Sequence, residues 1–368
     1  MWFAGVGLAR DGYRIALTDG AGRPVGAEEL YGRCDPERPA ARLAELAGRA
    51  PDGLAVVVDS ANGLLDGLLT AAGVTLYRAD PPLLADGRDD ARSLALLGSS
   101  KLAELVPLPP GSWIMSGREQ EMTEAEAAAG PVERRLAEAG RCLLGGEAPA
   151  GEAGAEPTVA LTFDDGPHPE HTPQVLEVLA RHGIRAAFFC IGLHATAHPG
   201  LVRRIVAEGH LLGNHTWSHA YLPDLGPLGL RHQLGSTGEA LAEASGAGLP
   251  TLMRPPYGGR SAALMELVAE AGLTTVLWDV ETNDWARPGA EVIAGRVLRR
   301  VRPGSVVLMH DGGGDRSQTV AALPLMIAGL RRRGYRFVTP DELLRPRRGR
   351  EAAVPGAGAS ARVVADSG

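Results

Sequence analysis

The chain has 368 residues, 45% of them hydrophobic and 22% charged, and a formal net charge of −7 at pH 7. Its length exceeds one typical domain, its apolar content suits an ordinary core, and its acidic balance argues against nucleic-acid binding by the chain as a whole. Three cysteines, Cys34, Cys142 and Cys190, are too few for a disulfide framework, and no apolar run reaches the length of a membrane span.

The segment Met1 to Gly12 lacks a basic start and a long apolar stretch. It reads as a strand rather than a signal peptide, and the expected location is cytoplasmic. Phe3–Leu8, Tyr13–Thr18 and a segment from Val25 onwards, separated by Gly-bearing turns, predict a three-stranded meander. Residues 39–49 predict a helix, Leu54–Val58 a short buried strand, 62–72 a second helix, and Val74–Tyr77 a strand before the Pro81-Pro82 break. Glu119 to Leu144 is a charged, Ala-rich helical stretch interrupted at Gly130-Pro131. Residues 145–157 read as a flexible acidic linker, so residues 1–144 form one unit, and a fragment starting near Glu152 is expected to fold alone and keep its site.

Beyond the linker, strands near 159–163, 186–190, 211–214, 251–254, 274–279, 305–309 and 335–338 alternate with helices near 173–182, 199–208, 230–245, 260–271, 290–301 and 318–333. Repeated βα units imply a parallel sheet, so the second unit is α/β and spans 158–345. Cys190 falls in an apolar run and reads as a buried thiol. From Arg345 the chain turns basic, then small and Gly-rich, and 346–368 reads as a disordered tail.

Five polar clusters punctuate the second unit in fixed order. They are Thr162-Phe-Asp164-Asp165-Gly-Pro167, His215-Thr-Trp-Ser-His219, Arg254-Pro-Pro-Tyr257-Gly258, Asp284-Trp285 and Leu308-Met-His310. Each alone has an ordinary reading as a turn, a rigid loop or a surface histidine pair; together they supply a metal ligand set with an acid and a base. His215 and His219 are four apart, so on a helical turn both imidazoles would leave one face. Two imidazoles and a carboxylate suit Zn²⁺ with a position left open, which is the pattern of a catalytic site. Asp164-Asp165 follows an apolar β-rich run. Alternation along extended chain would point one carboxylate at the metal and the other at the attacking water.

On these clusters, and on Phe188-Phe-Cys-Ile-Gly192 and Gly213-Asn214-His215, residues from about 157 to 345 resemble the polysaccharide deacetylase family, also called the NodB homology domain or carbohydrate esterase family 4. The resemblance implies a distorted (β/α) barrel with its chemistry at strand C-terminal ends. It implies Asp164 as general base and Asp165, His215 and His219 as ligands of one divalent ion, Zn²⁺ first, with Co²⁺ or Ni²⁺ as alternatives. Arg254 would orient the base, the Tyr257 backbone N–H would face the oxyanion, Asp284 would hold His310, and His310 would be the general acid. Trp285 and Leu308 would wall the acetyl methyl. The implied activity is removal of acetyl from an N-acetylated amino sugar, with acetate released; an O-acetyl esterase is the variant of the same chemistry.

The order β-β-β-α-β-α-β in the first unit resembles a ribonuclease-H-like fold. It is most similar to the N-terminal domain of DEDD-type insertion-sequence transposases, through Val58-Asp59 and Asp89-Asp90-Ala91-Arg92. Leu8 and Ser93 stand where acids would be needed for Mg²⁺, so no nuclease activity is expected. Asp59, Asp89 and Asp90 then read as turn residues and helix caps. A second class of function follows from this unit: a binding or regulatory protein that keeps the deacetylase shape and acts through its N-terminal domain.

Overall fold

The computed structural model describes residues 1–9, 12–32, 37–58, 65, 68, 69, 72–79, 90–108, 119–146 and 156–348. Two sheets organise them. The first contains β1 (Trp2–Ala9), β2 (Gly12–Thr18), β3 (Glu29–Gly32), β4 (Leu54–Val58), β5 (Thr75–Arg78) and β6 (Val106–Leu108), in the order β3-β2-β1-β4-β5-β6. β1, β2 and β3 are antiparallel, β4 and β5 run parallel to β1, and β6 returns antiparallel.

Alternation along β4 shows why both faces are covered. Leu54, Val56 and Val58 join the cluster that takes Leu43 and Leu46 of helix α1 (Glu37–Arg49). Val57 points the other way, to Leu94 of helix α2 (Ala91–Lys101). That helix lies so close to β1 that a Cβ on Gly5 would sit 1.9 Å from the Ala91 carbonyl oxygen, so only glycine fits. Asp90 caps α2: its carboxylate accepts from the Ser93 backbone N–H at 2.9 Å and from its hydroxyl at 2.8 Å. Asp90 is therefore a cap, as expected, while Asp59 and Asp89 lie outside the described residues. The third strand begins at Glu29 rather than Val25, because Val25 still belongs to the turn, donating to the Leu17 carbonyl, and Gly26 takes φ 84°. Of the helix expected at 62–72, only residues 65, 68, 69 and 72 are described.

The second sheet has nine strands: β7 (Cys142–Leu143), β8 (Thr158–Asp164), β9 (Ala187–Cys190), β10 (Leu211–Asn214), β11 (Leu252–Met253), β12 (Thr274–Val276), β13 (Val280–Glu281), β14 (Ser305–His310) and β15 (Arg336–Val338). Their order is β13-β14-β8-β9-β10-β11-β12-β7, with β15 also beside β8, and every pairing is parallel. No pairing joins β13 to β7 among the described residues, so the sheet is a half-barrel rather than a closed ring. Val159, Leu161 and Phe163 face outwards into the main core, and Ala160 faces the inner cluster with Ala187 and Leu252.

Helices α3 (Glu119–Glu138), α4 (His171–Arg181), α5 (Gly192–Ala197), α6 (Pro199–Ala207), α7 (Pro227–Ser245), α8 (Ala262–Glu270), α9 (Ala290–Arg300), α10 (Ser317–Arg332) and α11 (Pro340–Arg348) complete this part. None of the described helices is long and apolar enough to cross a membrane.

Three expectations about the boundary change. α3 runs unbroken through Pro131. It is held to the turn before α8 by Arg260 with Glu126 and Glu133, and to α8 itself by Arg135 with Glu266 and by Leu136 packed with Met265, so the surroundings outweigh the lost backbone bond. β7 pairs with β12, so residues before the expected break at 144/145 supply the last strand of the second sheet. The start of the expected linker is pinned, since the Gly146 N–H donates to the Gly304 carbonyl at 2.9 Å; residues 147–155 lie outside the described residues, as does most of the expected tail. Cys142 and Cys190 are buried, and Cys34 is not among the described residues.

Candidate active site

Parallel pairing puts the C-terminal ends of β8, β9, β10 and β14 on one side, with Asp164 directly opposite His310 and Asn214 opposite Cys190. The polar clusters follow the ends of β8, β10, β11, β13 and β14. Asp164 is the last residue of β8, and Asp165 turns into the left-handed region at φ 72°. That turn cancels the alternation expected of extended chain, so both carboxylates reach the same histidine: His215 Nε2 lies 3.7 Å from Asp164 Oδ2 and 3.4 Å from Asp165 Oδ1.

Residues 215–219 form a bent loop, not the helical turn expected from their spacing. Thr216 and His219 have φ of 66° and 62°, and these two left-handed positions bring the rings to 5.0 Å between centroids. His219 Nε2 is 3.1 Å from Asp165 Oδ1. The loop is held from outside. The Gly192 and Leu193 N–H groups donate to the Thr216 and Trp217 carbonyls, and the Gln233 side-chain oxygen accepts from the Trp217 and Ser218 N–H groups.

Asp165, His215 and His219 each offer a ligand atom, and these atoms lie within 4.8 Å of one another. Their chemistry fits a cation. His215 Nδ1 donates to the Arg254 carbonyl at 2.7 Å, so a neutral His215 ring turns its Nε2 lone pair towards Asp165. Asp165 Oδ1 is buried without a hydrogen-bond partner. Burial would raise the Asp165 carboxyl, yet the two imidazoles beside it, His219 first, hold it well below the usual carboxylate range. A lone pair and an orphaned carboxylate oxygen converging on one point is the arrangement a divalent ion resolves.

Asp164 sits against Arg254, which is fully buried. Arg254 Nη1 donates to Asp164 Oδ1 and to the Thr162 hydroxyl, both at 2.8 Å, and Nε donates to the Val276 carbonyl at 2.9 Å. Its guanidinium lies over the Phe189 ring, 4.3 Å from the centroid. Tyr257 follows on a tight turn at φ 60° with its ring edge against His219, 4.6 Å between centroids.

On β14, the strand neighbouring β8, His310 Nδ1 donates to Asp284 Oδ1 at 2.7 Å, and its backbone N–H donates to Oδ2 at 2.9 Å. The Thr319 hydroxyl adds a third bond to this carboxylate at 2.8 Å. Burial opposes charge on the His310 ring, but Asp284 outweighs it and raises the ring from 6.5 to about 9. Leu308, two residues before His310, shares its strand face and is buried, while Trp285 keeps 44% of its surface exposed beside Asp284.

Sequence reasoning missed Thr162, Thr319, Gln233 and Asp311. Thr162 lay inside a noted cluster, but nothing marked its hydroxyl as the bridge between Arg254 and the Val307 carbonyl. Asp311 is fully buried, bonded to the Thr172 hydroxyl and raised to about 7, chiefly by burial. Adjacency to His310 was its only signal.

The family model described as polysaccharide deacetylase matches residues 151–276. A peptidoglycan-N-acetylglucosamine deacetylase of Bacillus cereus is 44% identical over 192 residues, which are 52% of this chain and 89% of the relative. The chain belongs to the polysaccharide deacetylase family. A chitooligosaccharide deacetylase of a Bradyrhizobium species is 42% identical over 196 residues, covering 50% of this chain and 90% of that protein. A solved peptidoglycan N-acetylglucosamine deacetylase aligns with a TM-score of 0.54 at 36% identity, covering 58% of this chain and 96% of that one. The half-barrel is thus the NodB-type fold, and this is a family of carbohydrate N-deacetylases.

Proposed function

We propose that the chain is a metal-dependent hydrolase that removes acetyl groups from N-acetylated amino sugars and releases acetate. The observation that carries this reading is the Asp165–His215–His219 cluster flanked by a buried carboxylate–arginine pair and by a carboxylate–histidine pair. Asp165, His215 and His219 would hold one divalent ion, Zn²⁺ first. When bound, the ion polarises the acetyl carbonyl and favours ionisation of water.

The chain's own groups do the rest. Asp164, fixed by Arg254, accepts the proton of the attacking water. The Tyr257 N–H faces the oxygen that gains charge as the carbonyl carbon becomes tetrahedral. His310, kept protonated by Asp284, donates to the leaving nitrogen, so the C–N bond breaks to give acetate and a free amine. Leu308 and Trp285 border the space for the methyl group.

The relatives act on peptidoglycan N-acetylglucosamine and on chitooligosaccharide, so oligosaccharides with internal N-acetylglucosamine are the first substrates to try. The test is acetate release from chitooligosaccharides, peptidoglycan fragments and an O-acetylated sugar, with and without Zn²⁺. Release from the amides, abolished by chelator and restored by Zn²⁺, supports the reading. Release from the ester alone would replace it with an esterase.

For the first sheet, the order β3-β2-β1-β4-β5, with β2 antiparallel to its neighbours, supports a ribonuclease-H-like assignment. A non-catalytic role suits it, because the Ser93 hydroxyl and the Asp90 carboxylate are engaged in capping α2.

A further inference from the structure

The buried clusters do not respect the boundary between the two sheets. Ile191 and Leu193 at the start of α5, Trp217, and Ala240 of α7 share one cluster with Val56, Val58, Leu65, Leu69, Val74 and Leu76 of the N-terminal unit. Trp217 lies between the two histidines of the metal cluster and is 1% exposed. Leu193 belongs to the helix start whose N–H groups hold the carbonyls of that loop.

A charge pair crosses the same boundary. Arg78, the last residue of β5, places Nη1 3.3 Å from Asp224 Oδ2, with both side chains more than nine-tenths buried. Asp224 comes five residues after His219, on the short turn Leu222–Asp224 that ends the loop. The loop itself has two left-handed residues and no regular backbone ladder, so its shape is imposed by what surrounds it.

We infer that the N-terminal unit positions the histidine ligands, through Trp217 seated in the shared core and through the buried Arg78–Asp224 pair. Arg78 is then a positioning residue for the metal site from outside the segment that the family model matches. The inference rests on the reading of Asp165, His215 and His219 as metal ligands. Charge neutralisation alone cannot be the point of the pair, since a buried ion pair is often no more stabilising than an apolar replacement. What the pair supplies is a fixed distance between β5 and the end of the histidine loop.

The test uses the full chain and the variants Arg78→Met, Asp224→Leu and the double variant, with Zn²⁺ affinity measured by competition against a chromophoric chelator. Folding is checked by circular dichroism, and kcat and KM are read separately. Arg78→Met leaves the Asp224 carboxylate buried without its cation and should weaken Zn²⁺ binding about ten-fold or more. The double variant removes the stranded charge but still lacks the fixed distance, so its affinity should stay weakened to a similar extent. The loss should fall on Zn²⁺ affinity and kcat rather than KM.

A merely structural pair would lower the thermal midpoint and leave the Zn²⁺ affinity of the folded protein unchanged. Affinities of all three variants within two-fold of the parent would therefore overturn the inference. If Arg78→Met does not fold, Arg78→Lys, which keeps the charge but shortens the reach, is held to the same criterion. A parent that binds no Zn²⁺ overturns the reading of the site as well; a parent that binds it beside unaffected variants overturns the positioning role alone.

Discussion

Asp164 and Asp165 are chain neighbours with different surroundings, and the difference supports the separate roles proposed for them. Asp164 is bonded to Arg254, while Asp165 Oδ1 has only the two imidazoles before it. Asp164→Asn should therefore keep one equivalent of Zn²⁺ by elemental analysis and lose about 10²- to 10⁴-fold in kcat, the usual cost of removing a general base. His215→Ala should lose the metal. If Asp164→Asn empties the site and Asp165→Asn does not, the two carboxylates are reversed. For His310 the sign of the pH effect follows from its raised pKa. A general acid must carry its proton, so kcat/KM should hold below about 9 and fall as the pH rises through it. Asp284 supplies the raising influence, so Asp284→Asn should move the alkaline limb to lower pH as well as slow the reaction. An alkaline limb that stays in place in Asp284→Asn would leave Asp284 with orientation only.

At the level of elements, β7 and α3 decide where the catalytic unit starts. A fragment beginning near Glu152 lacks the strand that covers β12 and the helix that covers Met265 on α8. It should expose Val276 and Leu277 and melt well below the full chain. A fragment from about residue 119 restores those contacts and should recover much of that loss; equal melting temperatures for the two would show that β7 contributes nothing. β8 and β14 were readable in the sequence as apolar, β-branched runs closed by polar clusters, and β9 and β10 as short apolar runs, with β10 leading straight into His215. The sequence did not reveal β7, since Cys142 and Leu143 find their partners about 130 residues later and two residues carry no period. The five clusters were equally legible as chemistry. The path of 215–219 was not, because β-branched Thr216 in a left-handed conformation goes against local preference and is imposed by Gly192, Leu193 and Gln233.

Across the whole molecule, one apolar cluster runs from the first sheet to α5 and α7, and it should make the two halves unfold together. Calorimetry should show one transition, and Zn²⁺ should raise it as a unit. Binding at about 100 times Kd adds roughly 2.7 kcal/mol to the folded state. Two transitions, with only the later one moved by Zn²⁺, would mean that the shared cluster does not couple the halves.

Every non-glycine residue with positive φ among those described lies between Asp165 and Arg287, and Asp165, Thr216, His219 and Tyr257 belong to the polar clusters themselves. Backbone in that region costs about 1–3 kcal/mol per residue for ordinary side chains. The catalytic face is therefore a loaded spring held shut by the core beneath it. A selection for heat resistance would find its easiest gains at these positions, and a gain at Asp165 or His219 would let a proposed ligand drift. Stability and turnover are set against each other at the same few residues, so a hardier variant of this protein has to be sought in the outer helices and the first sheet, away from the ends of the strands.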